Sequence, residues 1–270
     1  MPAARLQTGP PPRATLTLTG TGTSVGVPVI GCDCDVCFSD NPRNRRRRSG
    51  ALVRAPQGNF VIDTSPDLHS QLVDQRIDNV AAAIFTHSHA DHIMGLDDLR
   101  ICGFRMDAPV KLFCEEAVED QIRQSFNYAF KSSIKPTHKF ALPRFEFVRI
   151  DETAPIELLG LTIQPLRLHH GPLPILGFRI NDVAFCTDVS KIPRESFERL
   201  NGIDTFIVDA LRDIPHATHF SVKQAIQAAE RTGARQTYLT HLSHSLEYEA
   251  TNASLPAGIE LAYDGLVVEL

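Results

Sequence analysis

Thr86-His87-Ser88-His89-Ala90-Asp91-His92 sets three imidazoles and a carboxylate within six consecutive residues. Side chains two apart on an extended backbone point the same way, so His87 and His89 can grip one metal ion. Asp91 and His92 fall where the chain turns and can face a second ion close by. A donor set of imidazole and carboxylate suits Zn, Mn or Fe rather than Ca or Mg. A polar loop that merely happened to hold these residues would need three histidines and an aspartate to coincide. The apolar run at residues 80–85 reads as a buried strand that delivers the motif, and residues 96–100 after Gly95 favour a helix.

The same theme, a strand ending in His or Asp, recurs downstream. Residues 161–168 pattern as a strand and lead into His169-His170-Gly171, and residues 183–186 end at Thr187-Asp188. Residues 236–240 run into His241-Leu242-Ser243-His244. Two metals need about three protein ligands each, with open positions for water and substrate. His87, His89 and His170 suit one ion, Asp91, His92 and His241 suit the other, and Asp188 can bridge both through its two oxygens. His169 and His170 point to opposite faces of a strand, so one of them binds, and the His-Gly pairing favours His170. Asp63, at the end of another strand, reads as a group supporting the motif rather than as a ligand.

Gly31-Cys32-Asp33-Cys34-Asp35-Val36-Cys37 gathers half of the six cysteines. Three thiolates this close can take three corners of a tetrahedral zinc site and call for a fourth Cys or His from elsewhere. Such a zinc would be structural, stapling a loop that lacks a core of its own.

A chain of 270 residues with 43% hydrophobic content can bury a large core. Its formal net charge of −5 argues against a dedicated nucleic-acid binder. No apolar run approaches the roughly 20 residues that span a bilayer. Residues 1–13 lack the apolar segment of a signal peptide and read as a disordered lead-in. The expectation is a cytoplasmic protein, where six cysteines would not form disulfides; a homodimer stays open. Arg45-Arg46-Arg47-Arg48 is the dense part of the only charge run, read as a solvated loop, as a positive field for an anionic substrate, or as partners for acidic groups of the fold. Gly20-Thr21-Gly22 opens a glycine-rich loop that is not a nucleotide fingerprint, since no helix pattern follows it.

Other elements follow from pattern. Residues 51–54 and 59–63 predict a hairpin, residues 68–73 a helix, 110–113 a strand and 115–126 a helix. Residues 127–139, with Tyr128, Phe130, Lys131, Lys135 and His138, are expected to be irregular and to form a lid or substrate wall. Ser221 caps a helix over residues 221–231 that stops at Gly233. Residues 259–262 and 266–269 predict a terminal hairpin across Tyr263-Asp264-Gly265.

The Thr-His-Ser-His-Ala-Asp-His stretch, a later histidine, a strand-end aspartate and a final Thr240-His241 together resemble the metallo-β-lactamase superfamily. The likeness runs from Thr15 to Glu269. It implies an α/β fold, an αββα sandwich of two facing mixed β-sheets with helices on the outer faces, as one hydrolase domain over residues 14–270 with a zinc-binding loop at about 31–48. Gly20-Thr21-Gly22 before Val27-Pro28, the cysteine insertion, and Thr240-His241-Leu242-Ser243-His244 are more narrowly similar to the branch containing the phosphonate-pathway cyclic phosphodiesterase. In that branch His244 joins Cys32, Cys34 and Cys37 on a structural zinc, and His219 acts on the leaving group or the transition-state charge. His216 competes for that role. With Asp91 counted beside His219 as catalytic, the resemblance implies hydrolysis of a small, cyclic phosphodiester by a hydroxide bridging two Mn or Zn ions. Alternatives are a tRNA-processing nuclease of the superfamily, a quinone-cofactor (PQQ) biosynthesis protein and, last, a non-enzymatic zinc-dependent binding protein.

Overall fold

The computed structural model describes residues 13–130 and 141–270. Among the described residues the strands form two seven-stranded sheets. The first runs in the spatial order β14 (Val267–Glu269), β1 (Thr15–Gly20), β2 (Gly50–Ala55), β3 (Gly58–Ile62), β4 (Ala82–Ile84), β5 (Val110–Cys114), β6 (Phe145–Arg149). The second is β13 (Ile259–Leu261), β12 (Gln236–Thr240), β11 (Thr205–Asp209), β10 (Val183–Cys186), β9 (Leu173–Ile180), β8 (Leu161–His170), β7 (Ile156–Leu158). Central strands such as β4, β10 and β11 read as nearly unbroken apolar runs because both of their faces are covered. Phe60 and Ile62 point between the sheets, against Phe178 and Phe185. Val61, one residue over, joins the outer layer with Leu68, Leu99 and Ile122.

Helices α1 (Leu68–Asp74), α2 (Ala90–Ile93), α3 (Arg100–Arg105) and α4 (Glu116–Ser125) contribute to that outer layer. On the other side α6 (Arg194–Arg199), α7 (Val222–Thr232) and α8 (Tyr248–Ser254) cover the second sheet, whose outward residues include Phe206, Val208 and Leu239. The Ser221–Gln224 capping box starts α7 and Gly233, at φ 68°, ends it. This is the fold the sequence implies, an αββα sandwich.

Two expectations differ from the structure. The terminal strands do not form a hairpin: β13 pairs in parallel with β12, whereas β14 pairs antiparallel with β1 in the other sheet. The Asp264 carboxylate accepts from the Thr21 amide at 2.9 Å, the Thr21 hydroxyl at 2.7 Å and the Arg47 amide at 2.8 Å. Those bonds, with the Gly265 amide on the Leu18 carbonyl, carry the chain across the edge of the sandwich. Asn127–Phe130 is a helical turn (α5) whose Tyr128 hydroxyl donates to Asp97, while residues 131–140, with Lys131, Lys135 and His138, lie outside the described residues.

Strands β3, β4, β5 and β6 are mutually parallel, as are β10, β11, β12 and β13. Their C-terminal ends therefore share one edge of the sandwich, and a side chain placed just beyond any of them faces the others.

Candidate metal centre

His87 and His89 follow β4, Asp91 and His92 lie in α2, His170 ends β8, Asp188 follows β10 and His241 follows β12. Their donor atoms converge. Those of His87, His89 and His170 lie within 4.8 Å of one another, as do those of His87, His92 and Asp188, and those of Asp91, Asp188 and His241. Asp188 sits in the middle: Oδ2 is 3.1 Å from His92 Nε2 and 3.8 Å from His87 Nε2, and Oδ1 is 3.2 Å from His241 Nδ1. His92 Nε2 also lies 3.3 Å from Asp91 Oδ2. Of the adjacent pair, His170 enters the cluster and His169 does not; the His169 backbone pairs with Lys191 instead.

Burial sets the protonation. His87, His170 and His241 are lowered, first by burial, toward the neutral imidazole that coordinates cations. Burial acts in the same direction on His92, but the flanking Asp188 and Asp63 carboxylates outweigh it and raise that ring. Asp188 is held well below the carboxylate range although burial opposes it, chiefly by His241 and His92. Several donor atoms nevertheless lack a hydrogen-bond partner: His87 Nε2, Asp188 Oδ1 and both ring nitrogens of His241. Buried polar atoms left bare in this way fit a cation.

The surrounding groups orient the rings. Asp63 Oδ2 holds His92 Nδ1 at 2.7 Å, and its two oxygens accept from the Thr86 amide and hydroxyl, both at 2.8 Å. His170 Nδ1 is fixed by the Thr218 carbonyl at 2.7 Å. Asp63 and His241 both leave their strands with φ near 60° (61° and 58°), a left-handed turn that aims each side chain inward and costs a residue with a Cβ roughly 1–2 kcal/mol. His219, placed by the Phe220 amide on the Val189 carbonyl, stands 4.6 Å from His170 and 4.8 Å from His241 between ring centroids. Its donor atom also falls within reach of those of His170 and Asp188. His216 is exposed, 5.3 Å from His219.

Reasoning on the sequence missed Asp209, whose Oδ2 lies 2.8 Å from His219 Nδ1. It ends β11 and so follows the same strand-end rule that singled out Asp188. Burial first, then the Asp188 charge, push its carboxyl well above the usual range.

The cysteines form a second cluster. Cys32, Cys34 and Cys37 Sγ lie 3.2, 3.4 and 3.6 Å from His244 Nδ1. The Cys37 backbone N–H leads the influences that lower the Cys34 thiol to about 6, which makes a thiolate available near neutral pH. Arg46 clamps this loop from within. Only 1% exposed, its guanidinium donates to the Ser243 carbonyl at 2.7 Å and the Leu246 carbonyl at 2.6 Å, on either side of His244. Arg47 and Arg48 pair with Asp74 and Asp67, so most of the charge run is spent on the fold's own acids and carbonyls.

Fold and site together define a metal-dependent hydrolase of the metallo-β-lactamase superfamily, and the family model for the β-lactamase superfamily domain matches residues 58–242. The chain belongs to the PhnP family within it. A crystal structure described as a new diphosphatase from the PhnP family is 41% identical, with a TM-score of 0.88 over 96% of this chain and 97% of that one. An octanoyltransferase of Porphyromonas gingivalis is 36% identical over 235 residues, which cover 86% of this chain. That match spans 46% of the relative, so the chain covers about half the length of that protein. A ribonuclease Z of Mycolicibacterium gilvum is 25% identical over 76% of this chain and 82% of its own length. No helix among the described residues is long and apolar enough to cross a membrane.

Proposed function

We propose that this chain is a divalent-metal-dependent phosphoesterase acting on a small phosphodiester. In this reading His87, His89 and His170 hold one cation, Asp91, His92 and His241 a second, and Asp188 is shared between them. What supports it above all is the set of buried donor atoms that converge on Asp188 without partners. Each bare group of that kind costs about 1–3 kcal/mol, a penalty that a bound cation removes. Divalent ions there supply Lewis acidity toward phosphoryl oxygens and lower the pKa of a coordinated water to about 7.

The protein's own part is positioning and proton handling. Asp209 occupies Nδ1 of His219, so Nε2 is the ring atom left for a substrate oxygen, where it donates to the departing oxygen or to the charge growing on phosphorus. Asp91, 3.3 Å from His92 Nε2, keeps its charge because His92 lowers its carboxyl against the effect of burial. Cys32, Cys34, Cys37 and His244 hold a structural zinc that ties the loop to the segment carrying His241.

The bond cleaved has two readings. The sequence resemblance favours a cyclic phosphodiester, whereas the 41% identical PhnP-family structure is named for a diphosphatase, which favours a phosphoanhydride. Assays of the metal-loaded chain on a ribose cyclic phosphate, a nucleoside 2′,3′-cyclic phosphate, a dinucleoside diphosphate, bis(p-nitrophenyl) phosphate and precursor tRNA separate them. Turnover of a small substrate that disappears in Asp188→Ala is expected. Activity surviving in metal-free Asp188→Ala, or cleavage of the tRNA alone, overturns the proposal.

A further inference from the structure

A cavity of about 610 Å³ opens beside the metal centre without containing any of its histidines. Its volume falls in the roughly 300–1,000 Å³ range of small-molecule sites. One rim is cationic. Arg45 is exposed and has no acidic partner among the described residues. Arg47 reaches Asp74 at 2.6 Å, but the two side chains are 37% and 56% exposed, and such a pair is worth about 0–1 kcal/mol and exchanges readily for a phosphate. The acids that line the same cavity are already engaged: Asp67 with Arg48, and Asp264 with Thr21 and the Arg47 amide. The opposite lip is apolar, with Ile30 99% and Val25 59% exposed.

Gln71 also lines the cavity. It is 1% exposed, its Nε2 donates to the Arg48 carbonyl at 2.9 Å, and its Oε1 is buried with no partner. That oxygen packs toward Gly50 and Thr19, so Gln71 braces the cavity wall rather than facing a ligand. A ring system that rests on apolar side chains and carries an anionic end is one ligand class. We infer that this cavity is a nucleotide site, taking the phosphate on Arg45 and Arg47 and the nucleoside against Ile30 and Val25.

The site is separated from the metal centre by one loop. Gly22 donates to the Arg47 carbonyl at 2.7 Å on the cavity side, while on the other side Leu242, next to His241, donates to the Thr21 carbonyl at 2.8 Å. The nucleotide is therefore either a free effector or the distal half of a larger substrate.

Calorimetric titration of the metal-loaded full chain with adenosine monophosphate, and separately with adenosine and inorganic phosphate, tests the site. The mononucleotide is expected to bind saturably and more tightly than either fragment. Arg45→Glu and Ile30→Asp, both at exposed positions, are each expected to weaken it at least tenfold with an unchanged thermal midpoint. No saturable binding, or equal binding by Arg45→Glu, overturns the inference. A second arm reads the source. An effector changes the rate on bis(p-nitrophenyl) phosphate in the native chain and not in Arg45→Glu. A substrate end leaves that rate alone, and Arg45→Glu raises KM for a dinucleoside diphosphate. The binding arm is readable even if no hydrolysis is found, so failure of the proposed activity stays distinguishable.

Discussion

The two ligand clusters of this chain are built on opposite principles. The histidine and aspartate cluster hangs from strand ends whose flanking residues, such as Ile84, Phe185 and Leu239, are wholly buried. Its shape comes from the sheets. The cysteine cluster lies in a loop whose own apolar core is only Val27, Val36 and Cys37, with Val29, Cys32 and Cys34 packed on it. There the donors must help to make the structure, and Arg46 is drawn fully inside to assist. The contrast teaches that a cation can be held by a fold or can hold one, and that burial of the neighbouring backbone tells which.

Substitution of one ligand from each cluster puts this contrast at risk. His87→Ala is expected to lower turnover by on the order of 10³-fold, about 4 kcal/mol of transition-state stabilisation, with little change in thermal midpoint. Cys34→Ser is expected to do the reverse: a midpoint lower by roughly 5–10 °C and one metal fewer per chain, with turnover reduced by no more than about tenfold. Metal analysis, melting curves and steady-state rates on the same preparations check both. Equal thermal losses in the two variants would erase the distinction.

A smaller effect is expected at Asp63. Asp63→Asn keeps a residue type that tolerates the left-handed turn but removes the charge facing His92, so affinity for the active-site metal should fall about 10–100-fold. Chelator competition reads this directly, and unchanged affinity would show that Asp63 merely packs.

The smallest effect is a pH dependence in the chelated chain. His87, His170 and His241 have lowered folded values, so the unfolded chain takes up protons that the folded one refuses. Stability is then present above the unfolded imidazole value of about 6.5 and is lost as pH falls through it. His92, raised, works in the opposite direction and offsets part of the loss. Urea unfolding in chelator between pH 8 and 5 should show a declining midpoint, and metal-loaded protein a steeper decline because protons then compete with the ions. A flat profile would mean that these rings are not held neutral by the fold.

What could be read beforehand follows from how local the information is. The candidate ligands stand at the ends of short apolar strands, so pattern and residue type sit within a few positions of each other, as at residues 80–92. His244 was reached through the family likeness rather than through spacing. The terminal hairpin misled because Tyr263-Asp264-Gly265 has sound turn chemistry. Its fate is decided by bonds to Thr21, Arg47 and Leu18, more than 200 residues away in sequence. Asp209 was equally visible as a strand-end acid, but its partner His219 lies across a loop, and no local pattern announces such a pair. Three readings of the arginine run stayed open, pairing with the fold's own acids among them, because burial of a guanidinium on carbonyl oxygens leaves no mark in composition.

In the loop between the metal centre and the neighbouring cavity, two glycines bring backbone against backbone on either side of Thr21. A methyl group at Gly20 would meet the Arg48 carbonyl oxygen at 2.0 Å, and one at Gly22 the Arg46 carbonyl oxygen at 2.7 Å. The seam is closed to its last ångström and contains nothing soft enough to absorb strain. Even the smallest side chain added to that partition acts as a wedge between the arginine segment and the one carrying His241.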